Sequence, residues 1–292
     1  MRKLLSQIGE SPWLWLSPVL LPFALFLLWP LFEVVRLSFT EWDWFKETPV
    51  GLAQYRKLLR DPDFYRALGH TVAFALLVVP SWIILTLAIA SLIAPFGAAA
   101  RKRWTTIFYM TYLVSPVILA MVWTWMLAPD SEGLVNQILA FIGIGPQPWL
   151  ADPDFALASV IFSTAVTIPG SGVLLYGAAI SSLPKELLEA ASLEGATPFK
   201  RWLRVTVPLL RPTTLYLSVI YTIASFQVFE RVYIMTGGGP AGSTTVLVEQ
   251  IYTNAFRSFD FGGASAQAVV LLVIIAAVSS LQFRAMGEEV QY

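Results

Sequence analysis

Long apolar runs alternate with short polar segments along this chain, and the pattern predicts a bundle of membrane-spanning helices. A helix needs ~20 mostly apolar residues to cross a bilayer core that is roughly 30 Å thick. Six runs reach that length, approximately residues 13–38, 71–96, 104–128, 155–181, 209–235 and 264–283. We therefore expect an all-α integral membrane protein in which residues 1–292 form a single transmembrane domain with six helices.

The polar segments between the runs predict turns and short helices rather than a second domain. Residues 40–70 contain one short amphipathic helix, "LAQYRKLL", and form either a simple cap or a docking surface for an external partner. Residues 134–142 predict another short helix, and the glycines at 237–242 predict a tight turn. Within the fourth run, Gly170 and Gly172 follow Pro169, and we interpret them as loosening helix packing.

The composition agrees with a chain surrounded largely by lipid. Hydrophobic residues make up 57% and charged residues only 13%, whereas soluble domains carry about a quarter charged residues. Lys+Arg and Asp+Glu number 19 each, so no strongly basic surface indicates a nucleic-acid partner. Cysteine is absent and His70 is the only histidine, so we expect neither a His/Cys metal site nor a histidine-based triad.

Basic residues near the ends of the runs predict the orientation, because cytoplasmic loops are enriched in Lys and Arg. Arg2, Lys3 and the cluster "RKR" at 101–103 would lie on the cytoplasmic side, together with residues 184–208. Basic residues in 40–70 oppose this assignment. An even number of spans then places both termini in the cytoplasm. The first run is too long for the apolar core of a signal peptide, so we interpret it as a retained span.

Polar residues inside predicted spans are candidates for a transport pathway, because burying them in lipid is costly. The fifth run contains Gln227 and Glu230, flanked by Phe226 and Tyr233, within "SFQVFERVY". We expect these four residues to face the pathway. The alternatives are an interfacial position for Glu230 and ordinary apolar packing for the aromatic residues.

Residues 237–244, "GGGPAGST", nearly match a phosphate-binding loop, but Ser243 stands where that loop has lysine. The stretch also follows a predicted span rather than a strand. No nucleophile with its base and no pair of adjacent buried acids is evident elsewhere, so we expect no catalytic residue on this chain.

The segment 184–208 predicts a surface helix, a turn and a second helix. Pro184 suits a helix start, Gly195 interrupts the helical spacing, and Pro208 opens the next run. A pair of amphipathic helices at a membrane surface either lies among lipid headgroups or fills a groove on a soluble partner. The residues alone leave both possibilities open.

The same segment carries a resemblance to a known family. Glu189-Ala190-Ala191, then Gly195, then Val205-Thr206-Val207-Pro208 resembles the cytoplasmic loop of permease subunits in bacterial binding-protein-dependent ABC importers. The stretch "TGGGPAGSTTVLVEQIYTNAF" is similar to carbohydrate-type members, in particular the maltose-F-like and glycerol-3-phosphate-A-like permeases. The family often has asparagine where this chain has His70.

This resemblance implies a type I ABC importer permease fold in the bacterial cytoplasmic (inner) membrane. It implies four kinds of partner beside membrane lipid: a second homologous permease, two ATP-binding subunits carrying ATP and Mg, an extracytoplasmic solute-binding protein and the transported solute. The contacts with the ATP-binding subunit would come from the loop signature, namely Glu189, Ala190, Ala191, Gly195 and Pro208. This chain would hold no cofactor or metal and perform no catalysis.

The solute implied is a di- or oligosaccharide, because aromatic side chains suit sugar faces and no basic cluster lies within the predicted spans. The alternatives are a glycerol-3-phosphate or polyol importer and, from a different class, a secondary transporter working alone. A membrane enzyme is disfavoured because the required groups are missing from the sequence.

Overall fold

The structure is a computed structural model that describes residues 12–43 and 46–286. In chain order its helices are α1 Pro12–Phe23, α2 Trp29–Leu37, α3 Ala53–Leu58, α4 Pro62–Ile93, α5 Ala98–Met110, α6 Pro116–Met126, α7 Leu134–Ala140, α8 Pro153–Ala165, α9 Gly170–Ser181, α10 Lys185–Leu193, α11 Pro198–Arg201, α12 Val207–Leu209, α13 Arg211–Phe226, α14 Glu230–Met235, α15 Leu247–Phe256 and α16 Phe261–Met286. A π-helical turn, Ala24–Leu28, joins α1 to α2. The predicted positions of Arg2, Lys3 and both termini lie outside the described residues.

Within residues 12–43 and 46–286, three helices are long and apolar enough to cross a membrane: Trp15–Leu37, Pro62–Ile93 and Phe261–Ala285. Two bent pairs bring the number to five if each pair is one span, and they correspond to the third and fourth apolar runs. The fifth run, 209–235, is not one continuous helix, because α13 ends at Phe226 and α14 begins at Glu230. A multi-pass helical protein is therefore confirmed, whereas the count of six spans stays a prediction.

The bend of 89° in the third run has a simple cause. Ser115 precedes Pro116 and is extended at φ −55° and ψ 134°, as is Val114 before it. The proline ring disfavours helical geometry in the residue before it, so α5 and α6 separate at this point. The third run, residues 104–128, is therefore two helices rather than one, and the first of them begins earlier, at Ala98.

The fourth run bends by 42° between α8 and α9. Side chains of other helices satisfy the carbonyl groups exposed at this bend: the Trp82 indole donates to Thr164 O at 3.0 Å and the Thr111 hydroxyl to Ile168 O at 3.1 Å. A Cβ on Gly170 would lie 2.0 Å from the Phe108 carbonyl oxygen. Gly170 therefore permits the close approach of α9 to α5, and our expectation that it loosens the packing was wrong.

One compact unit comprises Met1–Asp61 and Ile251–Val270. Its two strands, β1 Thr40–Asp43 and β2 Lys46–Pro49, pair antiparallel with Thr40 opposite Pro49. The sequence predicted the short helix α3 here but not this hairpin, because four-residue strands leave almost no alternation pattern. No residue of the apolar helix Trp15–Leu37 is buried in the structure.

The second unit comprises Pro62–Gln250 and Leu271–Tyr292 and holds the larger core. One cluster of buried side chains packs Phe74 and Val78 of α4 against Val160 of α8 and Val232 of α14. Another cluster packs Val79 and Leu87 of α4 against Tyr176, Leu210 and Tyr221. The helix α4, 32 residues long, thus contributes to both clusters and organises this unit.

Candidate functional site

The segment 184–208 forms the helix, turn and second helix that the sequence predicted. Gly195 ends the first helix with φ +77°, a left-handed conformation that favours glycine. The Ala196 N–H donates to Ala191 O at 3.1 Å and the Gly195 N–H to Ser192 O at 3.1 Å, which is the Schellman arrangement of a helix C-terminus. A Cβ on Gly195 would meet no atom within 4 Å, so backbone geometry rather than space requires the glycine.

A helical run follows the turn from Pro198 to Leu209, through α11, a π-helical turn and α12. Thr197 caps its start, where the hydroxyl oxygen accepts from the Lys200 N–H at 3.3 Å. Arg201 reaches back across the turn and donates from Nη1 to Ser192 Oγ at 2.7 Å. The two helical pieces are therefore connected both through the backbone turn and through a side-chain hydrogen bond. We call residues 184–208 the coupling segment.

The coupling segment exposes a mixed apolar and charged surface. Leu193 is 89% exposed and Phe199 is 69% exposed. Glu189 and Ala190 are also exposed, Ala191 is half-buried, and Pro208 is exposed. Within the described chain, Glu189 has no ion-pair partner closer than 4 Å. An exposed carboxylate beside exposed large apolar side chains is typical of a surface that another molecule covers.

The coupling segment is firmly attached to the long helix α4. The Trp202 indole donates from Nε1 to Ser91 Oγ, near the end of α4, at 2.8 Å. Trp202 and Val207 pack against the buried cluster that contains Leu87 and Leu210. The coupling segment is thus anchored to the helix core of this unit.

The four predicted pathway residues lie at the break between α13 and α14. Gln227 and Glu230 are exposed, Tyr233 is half-buried, and Phe226 is buried. Phe229 has φ −136° and ψ −60° and interrupts the helix, although no proline or glycine is near. The spacing of Phe226, Phe229 and Tyr233 by three and four residues would place them on one face of a continuous helix. Because the helix is broken, they do not share one face. Phe229 and Tyr233 instead stack on each other, with ring centroids 5.0 Å apart.

The glycine-rich turn after α14 is a tight structural turn, as predicted. Gly237, Gly238 and Gly242 all have positive φ values. The turn is joined to the start of α4, where His70 Nδ1 lies 2.9 Å from Thr245 O and the Leu247 N–H donates to Thr71 Oγ1 at 3.0 Å. It follows a helix rather than a strand, so the structural context of a phosphate-binding loop is missing.

Comparison with protein families matches residues 83–288 to the family described as "Binding-protein-dependent transport system inner membrane component". The match includes the whole coupling segment. The chain belongs to this family.

Curated relatives extend the similarity to nearly the whole permease. It is 34% identical over 289 residues to the probable ABC transporter permease protein YurN of Bacillus subtilis, covering 96% of this chain and 97% of YurN. It is 32% identical over 287 residues to the sn-glycerol-3-phosphate transport system permease protein UgpA of Agrobacterium fabrum, covering 96% of both chains.

Solved structures share its fold. A chain of a bacterial alginate ABC transporter, crystallised with an alginate pentasaccharide-bound periplasmic protein, has a TM-score of 0.82 at 25% identity and covers 96% of this permease and 95% of that chain. A second alginate transporter structure gives a TM-score of 0.79 at 28% identity, with coverage of 97% and 99%. The resemblance inferred from the loop signature is confirmed.

The sequence did not predict which polar groups of the permease are buried. Gln282 on α16 donates from Nε2 to Thr222 Oγ1 on α13 at 2.8 Å, and Ser225 Oγ is buried without a hydrogen-bond partner in the described chain. Arg231 is only 8% exposed and donates to Ser163 O at 3.4 Å. The sequence places Arg231 directly after Glu230, near the end of the fifth run, and does not predict its burial. Arg231 lies on the inner side of α14 because the break at Phe229 changes which residues of this helix face the core.

Proposed function

We propose that this permease is the transmembrane subunit of an ATP-driven sugar importer and forms half of its translocation pathway. The observation that carries the proposal is the coupling segment, a braced pair of helices with an uncovered carboxylate and uncovered apolar side chains at its surface. Such a surface is suited to a cleft on a soluble subunit, which would supply apolar contacts and a basic partner for Glu189.

In this proposal the partner subunits hydrolyse ATP and this chain converts their motion into a change of access. ATP and Mg are bound by two ATP-binding subunits, and this permease carries no cofactor of its own. A docked helix shifts a conformational equilibrium only if it binds differently in the two states. Trp202 and Ser91 would then pass the displacement of the docked segment to α4.

The remaining partners follow from the family membership. We propose a second homologous permease, which completes the pathway, and an extracytoplasmic solute-binding protein, which delivers the solute. The largely exposed apolar helix Trp15–Leu37 requires lipid or another subunit around it. We place the assembly in the bacterial cytoplasmic membrane with both termini in the cytoplasm. A secondary transporter working alone receives no support from this family.

For the solute we propose a di- or oligosaccharide. Stacked aromatic rings and exposed neutral polar groups, such as Phe229 on Tyr233 and the amide of Gln227, provide the apolar faces and hydrogen bonds that sugars use. Residues Phe226, Gln227, Glu230 and Tyr233 would line the pathway at the helix break. Support for a sugar also comes from the similarity to alginate transporter chains.

A glycerol-3-phosphate or polyol importer is the second candidate. The similarity to UgpA favours it, and so does Arg231, a buried cation close to the same helix break. Uptake of radiolabelled sugars and of labelled sn-glycerol-3-phosphate by cells expressing the complete transporter separates the two candidates.

The proposed coupling is tested by cross-linking in the assembled transporter. We expect Ala190→Cys to form a disulfide with a cysteine placed in the cleft of the ATP-binding subunit, in a manner that changes with ATP. Phe141→Cys is the control, because Phe141 is 90% exposed on a different loop. Solute uptake without any co-purifying ATP-binding subunit would overturn the proposal.

A further inference from the structure

A cleft with a cavity volume of about 380 Å³ opens between α4, α5 and α9. Its walls are apolar or small, with Ala90 and Ile93 from α4 and Leu174 and Gly177 from α9. Arg101 and Lys102 at the start of α5 also line it. Thr105, Thr106 and Tyr109 of α5 also line it. The cleft is thus mainly apolar and is cationic at one end.

The charge at this end is not neutralised by any acidic residue lining the cleft. Arg101 donates from Nη1 to Ser181 Oγ at 3.2 Å, and the Ser181 hydroxyl in turn donates to Gly177 O at 2.8 Å. The serine therefore orients the guanidinium without cancelling its charge. The other guanidinium N–H groups and the Lys102 ammonium remain available to an anion.

An apolar groove in a membrane-spanning unit, with two cations at one end, matches the shape and charge of an anionic phospholipid. Basic pockets between transmembrane helices bind lipid phosphates, and anionic lipids are enriched at the cytoplasmic leaflet. A soluble anion would gain nothing from the apolar walls, and a zwitterionic lipid would gain less from the cations, because its own ammonium group would lie close to them. We propose that this cleft binds an anionic phospholipid, with an acyl chain along Ile93 and Leu174 and the phosphate at Arg101 and Lys102.

Gly177 lines the apolar part of the cleft and allows the acyl-chain site to be tested separately from the two cations. A Cβ at Gly177 would meet no atom within 4 Å, although the residue lines the cleft. The empty space beside the glycine is therefore part of the cleft itself. A large side chain at this position fills the acyl-chain site without colliding with the backbone of a neighbouring helix.

The location gives the lipid a way to influence transport. The helix α9 ends at Ser181, and the coupling helix α10 begins at Lys185, only a short connection later. A lipid held by Arg101 beside Ser181 contacts the helix that continues into the coupling segment. The binding itself does not depend on the proposed ATPase coupling, so the two proposals can fail separately.

Lipid binding is tested on the transporter purified with its partner subunits in mild detergent, using native mass spectrometry with phosphatidylglycerol and phosphatidylcholine as competing probes. The expected result is selective retention of phosphatidylglycerol by the native protein. Loss of both charges in Arg101→Gln/Lys102→Gln should weaken this binding roughly 30-fold, since each cation near an anionic headgroup contributes ~1 kcal/mol. Arg103→Gln is the matched control, because Arg103 is exposed and does not line the cleft.

Gly177→Leu should abolish retention of either lipid at this site while leaving Arg101 and Lys102 in place. Gly69→Leu is its control, since Gly69 is also a helical glycine with open space around it but lies outside the cleft. Equal retention of the two lipids by the native protein, or unchanged retention in both cleft variants, would overturn the proposal. So would an efficient cross-link from Thr106→Cys to the second permease, because a protein helix would then occupy the cleft.

Discussion

Arg201 and Ser192 are joined by a hydrogen bond of 2.7 Å that closes the turn between the two helical pieces of the coupling segment. Ser192 lies in the last turn of α10, three residues after Glu189, and Arg201 lies in the first turns of the following helix. The bond restrains the angle between α10 and the helical run that follows it. The stiffness of the segment therefore depends on side chains outside the family signature.

We expect Arg201→Gln to reduce the efficiency of coupling without preventing insertion or assembly. A charged hydrogen bond contributes about 1.5–3 kcal/mol when buried, and solvent exposure here reduces the effect to ~1 kcal/mol. The ratio of solute transported to ATP hydrolysed should fall about 3- to 10-fold, which corresponds to ~1 kcal/mol. Lys200→Gln, which changes a neighbouring exposed charge, should leave the ratio unchanged, and an equal effect of both variants would contradict this role.

Glu189→Ala should uncouple uptake from ATP hydrolysis. If the carboxylate is buried against a basic residue on the ATP-binding subunit, its removal costs on the order of 2–5 kcal/mol, because one charge is left unpaired. Uptake should fall roughly 30-fold or more, while the amount of permease in the membrane stays normal. Glu194→Ala, which alters an exposed acid at the end of the same helix, is the control. Normal uptake in Glu189→Ala would exclude this contact.

Gly195→Ala should impair uptake through backbone strain rather than through a steric clash. A non-glycine residue in the left-handed conformation costs roughly 1–2 kcal/mol, and asparagine tolerates it better than alanine. We therefore expect the order of uptake Gly195, then Gly195→Asn, then Gly195→Ala, with Gly195→Pro inactive. Identical uptake by all four proteins at matched expression would show that the turn geometry is not needed.

Gly170→Ala should lower the thermal stability of the purified permease. Its Cβ would overlap the Phe108 carbonyl oxygen, and overpacking of this kind costs about 1–3 kcal/mol. Gly177→Ala in the same helix is the matched control, since its Cβ would point into open space and helical alanine is preferred over glycine by roughly 0.5–1 kcal/mol. The melting temperature should fall for the first variant and not for the second.

Gln227→Ala and Glu230→Ala should raise the KM for solute uptake, because both side chains are exposed at the break that we assign to the pathway. Loss of one hydrogen bond to the solute corresponds to ~1 kcal/mol, or roughly a 5-fold change in KM. Gln137→Ala, an exposed glutamine on α7, should leave KM unchanged. Uptake kinetics that are the same in all three variants would remove Gln227 and Glu230 from the pathway.

The coupling segment was predictable because its signals are local. Helical spacing, a glycine at the turn and prolines at the ends follow from backbone chemistry within a few residues. The bend at Ser115-Pro116 has an equally local cause, namely the proline. The apolar run continues through this position, however, and the continuous hydropathy concealed the break. Hydropathy reports which residues prefer lipid, and it does not report whether they form one helix.

The helix break at Phe229 was not predictable in the same way, because no proline or glycine marks it. Its geometry depends on tertiary packing, which places Val232 and Met235 of α14 in the buried core. The inward position of Arg231 follows from that break and was missed with it. The role of Gly170 was also hidden, since only the distance to Phe108 shows that the glycine serves close packing.

The long helix α4 is hydrogen-bonded near both of its ends. His70 lies against the carbonyl of Thr245 in the glycine-rich turn, and Ser91 accepts from Trp202 in the coupling segment. The two positions are about 21 residues apart, which at 1.5 Å per residue is ~31 Å, close to the thickness of the hydrocarbon core. One continuous helix of membrane-spanning length is therefore hydrogen-bonded to a loop near each of its ends. We therefore expect that a displacement of the loop at one membrane surface can act on the loop at the other surface through α4 alone, without involving the bent helices.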